Sequence, residues 1–277
     1  MNYKIDNDVI IIDDKSEFVI SQILECGQVF RFSKLGDFKY EVRVEDKQAI
    51  IDENDRGFKI YSSDPNYFVS YFDLDRDYSK IKSELLKDEI TLPAIKYGEG
   101  IRLLNAPLFE TAISFIISAN NNIKRIQLIL NRLCSSVGEN KGGYYAFPTK
   151  EKLLNLDVDF WKSIGAGYRA NYLPKAISSL VGLQKSDFND LTTLEARKKL
   201  IKISGIGPKV ADCILLFGLQ RFDVFPVDVW IEKSYHKYFE SGLKTREKMS
   251  EYLVSRFKDL SGFAQQYIYN YRNFYKN

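Results

Sequence analysis

The chain has 277 residues, of which 45% are hydrophobic and 28% charged, enough for one large or two moderate globular domains. A net charge of +3 is too small to indicate a nucleic-acid partner by itself. Three widely spaced cysteines and one histidine argue against an iron–sulfur cluster, a multi-histidine metal site and a Ser-His-Asp enzyme. Any chemistry must therefore use lysine, carboxylate, tyrosine or cysteine side chains.

The N-terminal sequence has no basic flank and no long apolar core, which argues against a signal peptide. Elsewhere no apolar run approaches the length that spans a membrane. We therefore expect a cytoplasmic protein without a membrane partner.

Residues 1–97 have the pattern of a small α+β domain. The apolar run 9–12 predicts a buried strand, and residues 38–51 and 58–61 alternate between apolar and polar positions. A turn is predicted at 55–57, and helices begin near residues 64 and 78. We predict a small antiparallel sheet with accessory helices.

Residues 98–277 are predicted to be a mostly α-helical domain pair, which makes the fold class α+β. A strongly apolar helix over 107–118 ends in three asparagines, and a second helix covers 123–134. A glycine-punctuated junction follows at 163–170. The C-terminal pattern predicts helices over 249–260 and 263–274, the last one rich in aromatic residues.

Residues 194–219 are predicted to form a helix-hairpin-helix. Gly205 and Gly207 allow a tight turn and the close approach of a partner, while Pro208 suits the first turn of the second helix. The exposed N–H groups at this helix start form an anion site, for which a DNA phosphate is the obvious ligand.

Two residues exceed the needs of a DNA-binding hairpin. Lys209 lies in the first turn of the second helix, where the helix dipole disfavours its ammonium form, and a partly neutral lysine can act as a nucleophile. Asp228 is placed to N-cap the following helix. A phosphate-contacting lysine and a purely structural cap are the alternative interpretations.

The strings GIGPKVADC (205–213) and PVDV (226–229) resemble the helix-hairpin-helix-Gly/Pro-Asp superfamily of base-excision DNA glycosylases. KVADC is similar in particular to the eukaryotic-type 8-oxoguanine DNA glycosylase/AP lyases. The resemblance implies base flipping, a Schiff base on Lys209, charge stabilisation and proton transfer by Asp228, and β-elimination. It implies a monomer that needs no cofactor or catalytic metal, acts on duplex DNA containing oxidised guanine opposite cytosine, and associates with the nucleoid if bacterial.

The same resemblance suggests how the damaged base is recognised. In the GQVFR segment (27–31), the Gly27 carbonyl would accept the N7 hydrogen that 8-oxoguanine has and guanine lacks. In the GFAQ segment (262–265), Gln265 would bind the Watson–Crick edge. Tyr269 would stack on one face of the base, and Cys213, an unreactive thiol, would cover the other.

Further segments resemble the family's contacts to the distorted duplex. In SANNNIKR (118–125), Asn120 would fill the hole left by the flipped base and Arg125 would reach the orphaned cytosine. Tyr168 would wedge into the base stack, and Arg169 would contact the same cytosine. One departure is Trp230, where the family carries a phosphate-binding histidine.

Two alternatives remain open at this point. One is a glycosylase of the same fold for another oxidised or alkylated base, although many alkyl-base members lack the lysine. The other is a non-catalytic helix-hairpin-helix DNA-binding protein. It would explain residues 205–209 but not Asp228, Asn120, Tyr168 and Gln265 together.

Overall fold

The computed structural model describes residues 1–239 and 242–272. Near the N-terminus they form an antiparallel six-stranded sheet with the spatial order β1-β2-β6-β5-β4-β3. The strands are β1 (Lys4–Asp6), β2 (Val9–Ile12), β3 (Phe32–Gly36), β4 (Lys39–Val44), β5 (Lys47–Glu53) and β6 (Phe58–Tyr61). The predicted strands at 9–12 and 58–61 are confirmed. The alternating stretch 38–51 is a hairpin, because Glu45 adopts a φ of 50° and reverses the chain.

Four short helices accompany the sheet. They are α1 (Ile20–Leu24), α2 (Pro65–Tyr71), α3 (Tyr78–Leu85) and α4 (Thr91–Tyr97). The predicted starts of α2 and α3 are confirmed, since the side chains of Asp64 and Asp77 accept hydrogen bonds from the first-turn N–H groups.

The remainder is helical, as predicted. The helices are α5 (Leu108–Ser118), α6 (Ile123–Val137), α7 (Lys150–Leu154), α8 (Val158–Ser163), α9 (Leu173–Leu180), α10 (Thr193–Ile201), α11 (Pro208–Cys213), α12 (Val229–Tyr238), α13 (Arg246–Phe257) and α14 (Ser261–Asn270). Short 3₁₀ turns lie at Gly167–Asn171, Lys185–Phe188 and Lys258–Leu260, and a π-helical turn lies at Ile214–Gly218. The end of the predicted helix over 263–274 falls outside the described residues. No described helix is both long and apolar enough to cross a membrane.

The buried side chains form two hydrophobic cores. One lies between the sheet, α1 and α2, and the other fills the helical part. Phe30 and Tyr78 from the first hundred residues belong to the helical core, while Leu104 belongs to the sheet core. Packing is therefore continuous across residue 97, and the division into domains 1–97 and 98–277 stays a prediction.

A buried ion pair fixes the GQVFR segment against α5. Arg31 Nη1 lies 3.0 Å from Glu110 Oε1, and Arg31 Nη2 donates a 2.7 Å hydrogen bond to the Tyr145 carbonyl. The second oxygen of Glu110 accepts a hydrogen bond from the N–H of Glu45. The loop at residues 26–31 is thus held at a defined place beside the first helix of the helical part.

Candidate active site

The helix-hairpin-helix forms where it is predicted, from α10 and α11 with a glycine-containing turn between them. Gly205 has a φ of +80°, and a Cβ there would lie 3.0 Å from the Tyr172 Cβ, so glycine satisfies both the backbone and the packing. Gly207 has no atom within 4 Å of where its Cβ would be. The space beside the start of α11 is therefore open to a partner. The second helix is shorter than predicted, because a π-helical turn replaces the α-helix after Cys213.

A cavity of about 550 Å³ opens beside the hairpin. It lies between the start of α11, the junction of α5 and α6, the start of α12, and α14. Five residues singled out from the sequence line it, namely Gly27, Asn120, Lys209, Asp228 and Tyr269. The fold thus brings together side chains from five separated segments of the chain.

Lys209 lines this cavity, and its side chain is partly buried. Its Nζ lies 5.2 Å from the centroid of the Phe115 ring. Burial lowers the pKa of the ammonium, but Cys213, Asp228 and Tyr269 together outweigh it, so the pKa lies above its ordinary value. This direction is opposite to the one expected from the helix dipole.

Asp228 is confirmed as the N-cap of α12. Its Oδ1 accepts hydrogen bonds of 2.9 Å from the N–H groups of Trp230 and Ile231. Neither bond uses Oδ2, so one carboxylate oxygen is committed to the helix and the other is left for the cavity. The cap also fixes the carboxylate in position without a second side chain.

Of the residues expected to recognise the base, Gly27 and Tyr269 line the cavity, whereas Gln265 and Cys213 are buried and are not among its lining residues. Gly27 has a φ of +80°, and a Cβ there would lie 3.1 Å from Tyr269 Cε1. Gln265 is 6% exposed, and its Oε1 has no hydrogen-bond partner among residues 1–239 and 242–272. A buried, unsatisfied amide oxygen indicates a site for a donor from outside the protein. Burial raises the pKa of Cys213 to about 11, so this thiol is neutral at pH 7.

The asparagine turn between α5 and α6 forms the outer rim. Asn120 is exposed, with a φ of 49°, and Asn122 caps α6 by accepting a 2.9 Å hydrogen bond from the N–H of Arg125. The side chain of Arg125 is exposed. Asn120 therefore both lines the cavity and is accessible to a partner.

Tyr168 and Arg169 both donate hydrogen bonds to the backbone of this turn. Arg169 is 3% exposed and donates hydrogen bonds of 2.9 Å to the carbonyls of Ala119 and Asn120. The hydroxyl of Tyr168 donates a 3.2 Å hydrogen bond to the same Ala119 carbonyl, while half of its side chain stays exposed. Arg169 thus shapes the Asn120 turn, and its contact with cytosine stays a prediction.

Among the other residues that line the cavity, the aromatic and charged ones were not assigned to it from sequence. They are Phe30, Phe115, Trp230 and Arg246. Phe115 lies within an apolar helix and carries no sequence signal that separates it from core residues. Trp230 was noted only as a departure from the family pattern. Arg246 begins α13 and pairs with Glu232 at 2.8 Å, an arrangement that only the tertiary structure creates.

Comparison with known proteins identifies the class. Residues 113–259 match the family model described as HhH-GPD superfamily base excision DNA repair protein, and the chain belongs to this family. Residues 10–112 match the N-terminal domain of 8-oxoguanine DNA glycosylase.

Individual relatives agree with this assignment. The chain is 31% identical to the N-glycosylase/DNA lyase of Saccharomyces cerevisiae over 261 residues, covering 79% of this chain and 68% of the yeast protein. It is 30% identical to an N-glycosylase/DNA lyase of Arabidopsis thaliana, covering 74% of this chain and 59% of that protein. A Clostridium acetobutylicum 8-oxoguanine glycosylase/lyase, solved with duplex DNA containing cytosine opposite 8-oxoguanine, superimposes with a TM-score of 0.92. It is 34% identical and covers 99% of this chain and 98% of that one.

Proposed function

We propose that this chain excises 8-oxoguanine from duplex DNA, preferably opposite cytosine, and then cleaves the strand as an AP lyase in base excision repair. The observation that carries the proposal is the meeting of Lys209 and Asp228 in one cavity that Gly27 and Tyr269 also line. Its volume of about 550 Å³ can hold a flipped nucleotide. A DNA-binding module without catalysis would need neither this cavity nor a lysine and a carboxylate that both line it.

Lys209 performs the covalent step. After losing its proton, the amine attacks C1′, the C1′–N9 bond breaks, and its electron pair leaves with the base, which takes up a proton. Opening of the sugar gives a Schiff base between C1′ and Nζ. Removal of a C2′ proton then breaks the bond between C3′ and the phosphate oxygen, which nicks the strand.

Asp228 supports this chemistry through its fixed negative charge. The carboxylate stabilises the cationic character that develops on the sugar, and it assists proton transfer. Because the cap holds Oδ1, the charge is already positioned before substrate binds. No protein rearrangement is then needed to place it during the reaction.

Base recognition uses groups that are still free in the DNA-free protein. The Gln265 amide supplies a buried oxygen that the Watson–Crick edge can satisfy. The Gly27 carbonyl accepts the N7 hydrogen of 8-oxoguanine, whereas guanine would present a lone pair to it. Tyr269 and Cys213 cover the two faces of the base.

The rim acts on the distorted duplex. Asn120 enters the hole left by the flipped nucleotide, and the exposed ring of Tyr168 recovers part of the stacking energy. Arg125, with an exposed guanidinium, reaches the orphaned cytosine. Gly205 and Gly207 let the DNA backbone approach the N–H groups at the start of α11.

The test is borohydride trapping on a duplex that carries 8-oxoguanine opposite cytosine. We expect the wild-type protein to become covalently linked to DNA and Lys209→Gln to give no adduct while still binding the duplex. Lys199→Gln, a lysine of α10, is the control and should trap normally. An adduct that persists in Lys209→Gln would remove Lys209 as the nucleophile, and base release without any adduct would remove the lyase activity.

A further inference from the structure

One buried side chain joins the two elements that recognise the base. Gln266 is 2% exposed, and its Nε2 donates a 2.9 Å hydrogen bond to the carbonyl of Cys26, 240 residues earlier in the chain. The bond connects α14, which carries Gln265 and Tyr269, to the loop that carries Gly27. No other part of the proposed mechanism uses Gln266.

The geometry of the peptide makes this bond directional. The Cys26 carbonyl and the Gly27 N–H belong to one planar peptide unit, so a donor that holds the oxygen also orients the plane. With the φ of Gly27 at +80°, the orientation of that plane bears directly on where the Gly27 carbonyl points. Gln266 therefore acts on the direction of the acceptor without contacting the base.

The loop is held from its other side by a second glutamine. Gln28 is 1% exposed, and its Nε2 donates hydrogen bonds of 2.8 Å to the carbonyls of Ile23 and Arg102. Its Oε1 accepts a 2.9 Å hydrogen bond from the N–H of Leu104. Gln28 bonds the loop to Ile23, Arg102 and Leu104. Gln266 bonds it to α14, the helix that carries Gln265 and Tyr269.

The loop that carries Gly27 is in close contact with α14. A Cβ on Gly27 would lie 3.1 Å from Tyr269 Cε1, so the loop packs directly against the side chain that is proposed to stack on the base. Gln265, Gln266 and Tyr269 share one rigid helix. The hydrogen bond from Gln266 consequently fixes the separation between the acceptor at Gly27 and the groups at Gln265 and Tyr269.

We propose that Gln266 is a positioning residue that sets the discrimination between 8-oxoguanine and guanine by fixing the Gly27 carbonyl relative to α14. The inference rests on the proposed function. A misplacement of about 1 Å of a positioned group can cost on the order of 100-fold in rate. Loss of Gln266 therefore weakens base recognition while Lys209 and Asp228 stay in place.

The experiment compares Gln266→Met, which keeps the shape and removes the donor, with Gln22→Met. Gln22 also bridges two segments, to the Tyr97 carbonyl and from the Gly100 N–H, but it does not line the cavity. In the Lys209→Gln background, we expect Gln266→Met to reduce the ratio of affinities for 8-oxoguanine and guanine duplexes about tenfold or more. Gln22→Met should leave the ratio unchanged.

A second measurement separates recognition from chemistry. In the otherwise wild-type protein, Gln266→Met should lower 8-oxoguanine excision about tenfold or more and keep strand cleavage at a pre-formed abasic site within about twofold. An unchanged affinity ratio, or an equal loss of both activities, would overturn the assignment of Gln266. A wild-type protein that cleaves abasic sites but releases no 8-oxoguanine would instead overturn the proposed function.

Discussion

Lys209 lies among groups that act on its charge in opposite directions. Burial favours the neutral amine, while Cys213, Asp228 and Tyr269 favour the ammonium and prevail. The proposed nucleophile therefore carries a proton before substrate binds and must lose it before it can attack C1′. The same carboxylate that stabilises the charged sugar also stabilises the charged lysine.

A pH profile of the covalent step follows from this. Because the pKa of Lys209 is raised, the neutral fraction at pH 6 to 8 is small and grows about tenfold per pH unit. We expect the single-turnover rate of borohydride-trapped adduct formation on an abasic-site duplex to rise with the same slope. Asp228→Asn removes one group that raises this pKa, so its profile should shift to lower pH while its maximum falls. A wild-type rate that is flat over this range would mean that Lys209 is already neutral.

At the scale of elements, a buried ion pair joins the two helices of the hairpin. Arg197 Nη2 on α10 lies 2.6 Å from Asp212 Oδ2 on α11, and the side chain of Asp212 is 3% exposed. Burial raises the pKa of Asp212 to about 7, although Arg197 acts to lower it. The pair therefore links α10 to α11, the helix that carries Lys209.

Removing the carboxylate should destabilise the protein. At pH 8.5, where Asp212 with its pKa of about 7 is mostly ionised, we expect Asp212→Ala to lower the free energy of unfolding by about 3 kcal/mol, because Arg197 keeps its charge in a partly buried place without a partner. The matched control is Glu84→Ala, which breaks a 2.7 Å ion pair with Lys87 in which both side chains are exposed. It should cost less than about 1 kcal/mol. Urea unfolding measures both, and equal losses would contradict the argument.

At the scale of the whole molecule, the sheet and the helices support each other. Phe30 and Tyr78 enter the helical core, and the Arg31–Glu110 ion pair crosses from the sheet region to α5. The cavity is lined from both regions, since Gly27 comes from the first and Lys209 from the second. Recognition and catalysis thus depend on the two regions being folded together.

We expect the chain to unfold in one cooperative transition. Trp161 and Trp230 are its only tryptophans, and both lie in the helical part, so their fluorescence follows the helices. Hydrogen exchange of amides in β4 and β5 reports on the unfolding of the sheet. Both should give the same free energy of unfolding, because neither core is complete without residues from the other region. A sheet that opens at clearly lower free energy while fluorescence stays native would contradict this.

Most elements of the fold and the centre of the site could be predicted from the sequence. The hairpin, the cap at Asp228 and the strands at 9–12 and 58–61 follow from short-range signals such as glycine, proline, capping side chains and apolar spacing. The hairpin within 38–51 was missed, because Glu45 is not a typical residue for a positive φ. Phe115 could not be assigned to the site from sequence, because nothing distinguishes it from the other apolar residues of its helix.

The sequence by itself determined which residues can do the chemistry, since Lys209 and Asp228 lie at helix starts that local signals define. Tertiary structure decided the direction of the Lys209 pKa shift, because Asp228 and Tyr269 approach it only in the folded chain. It also decided that Arg169 holds the carbonyls of Ala119 and Asn120, and that Gln266 holds the loop before Gly27. Electrostatic shifts and buried hydrogen bonds depend on distances in space, which the order of residues does not contain.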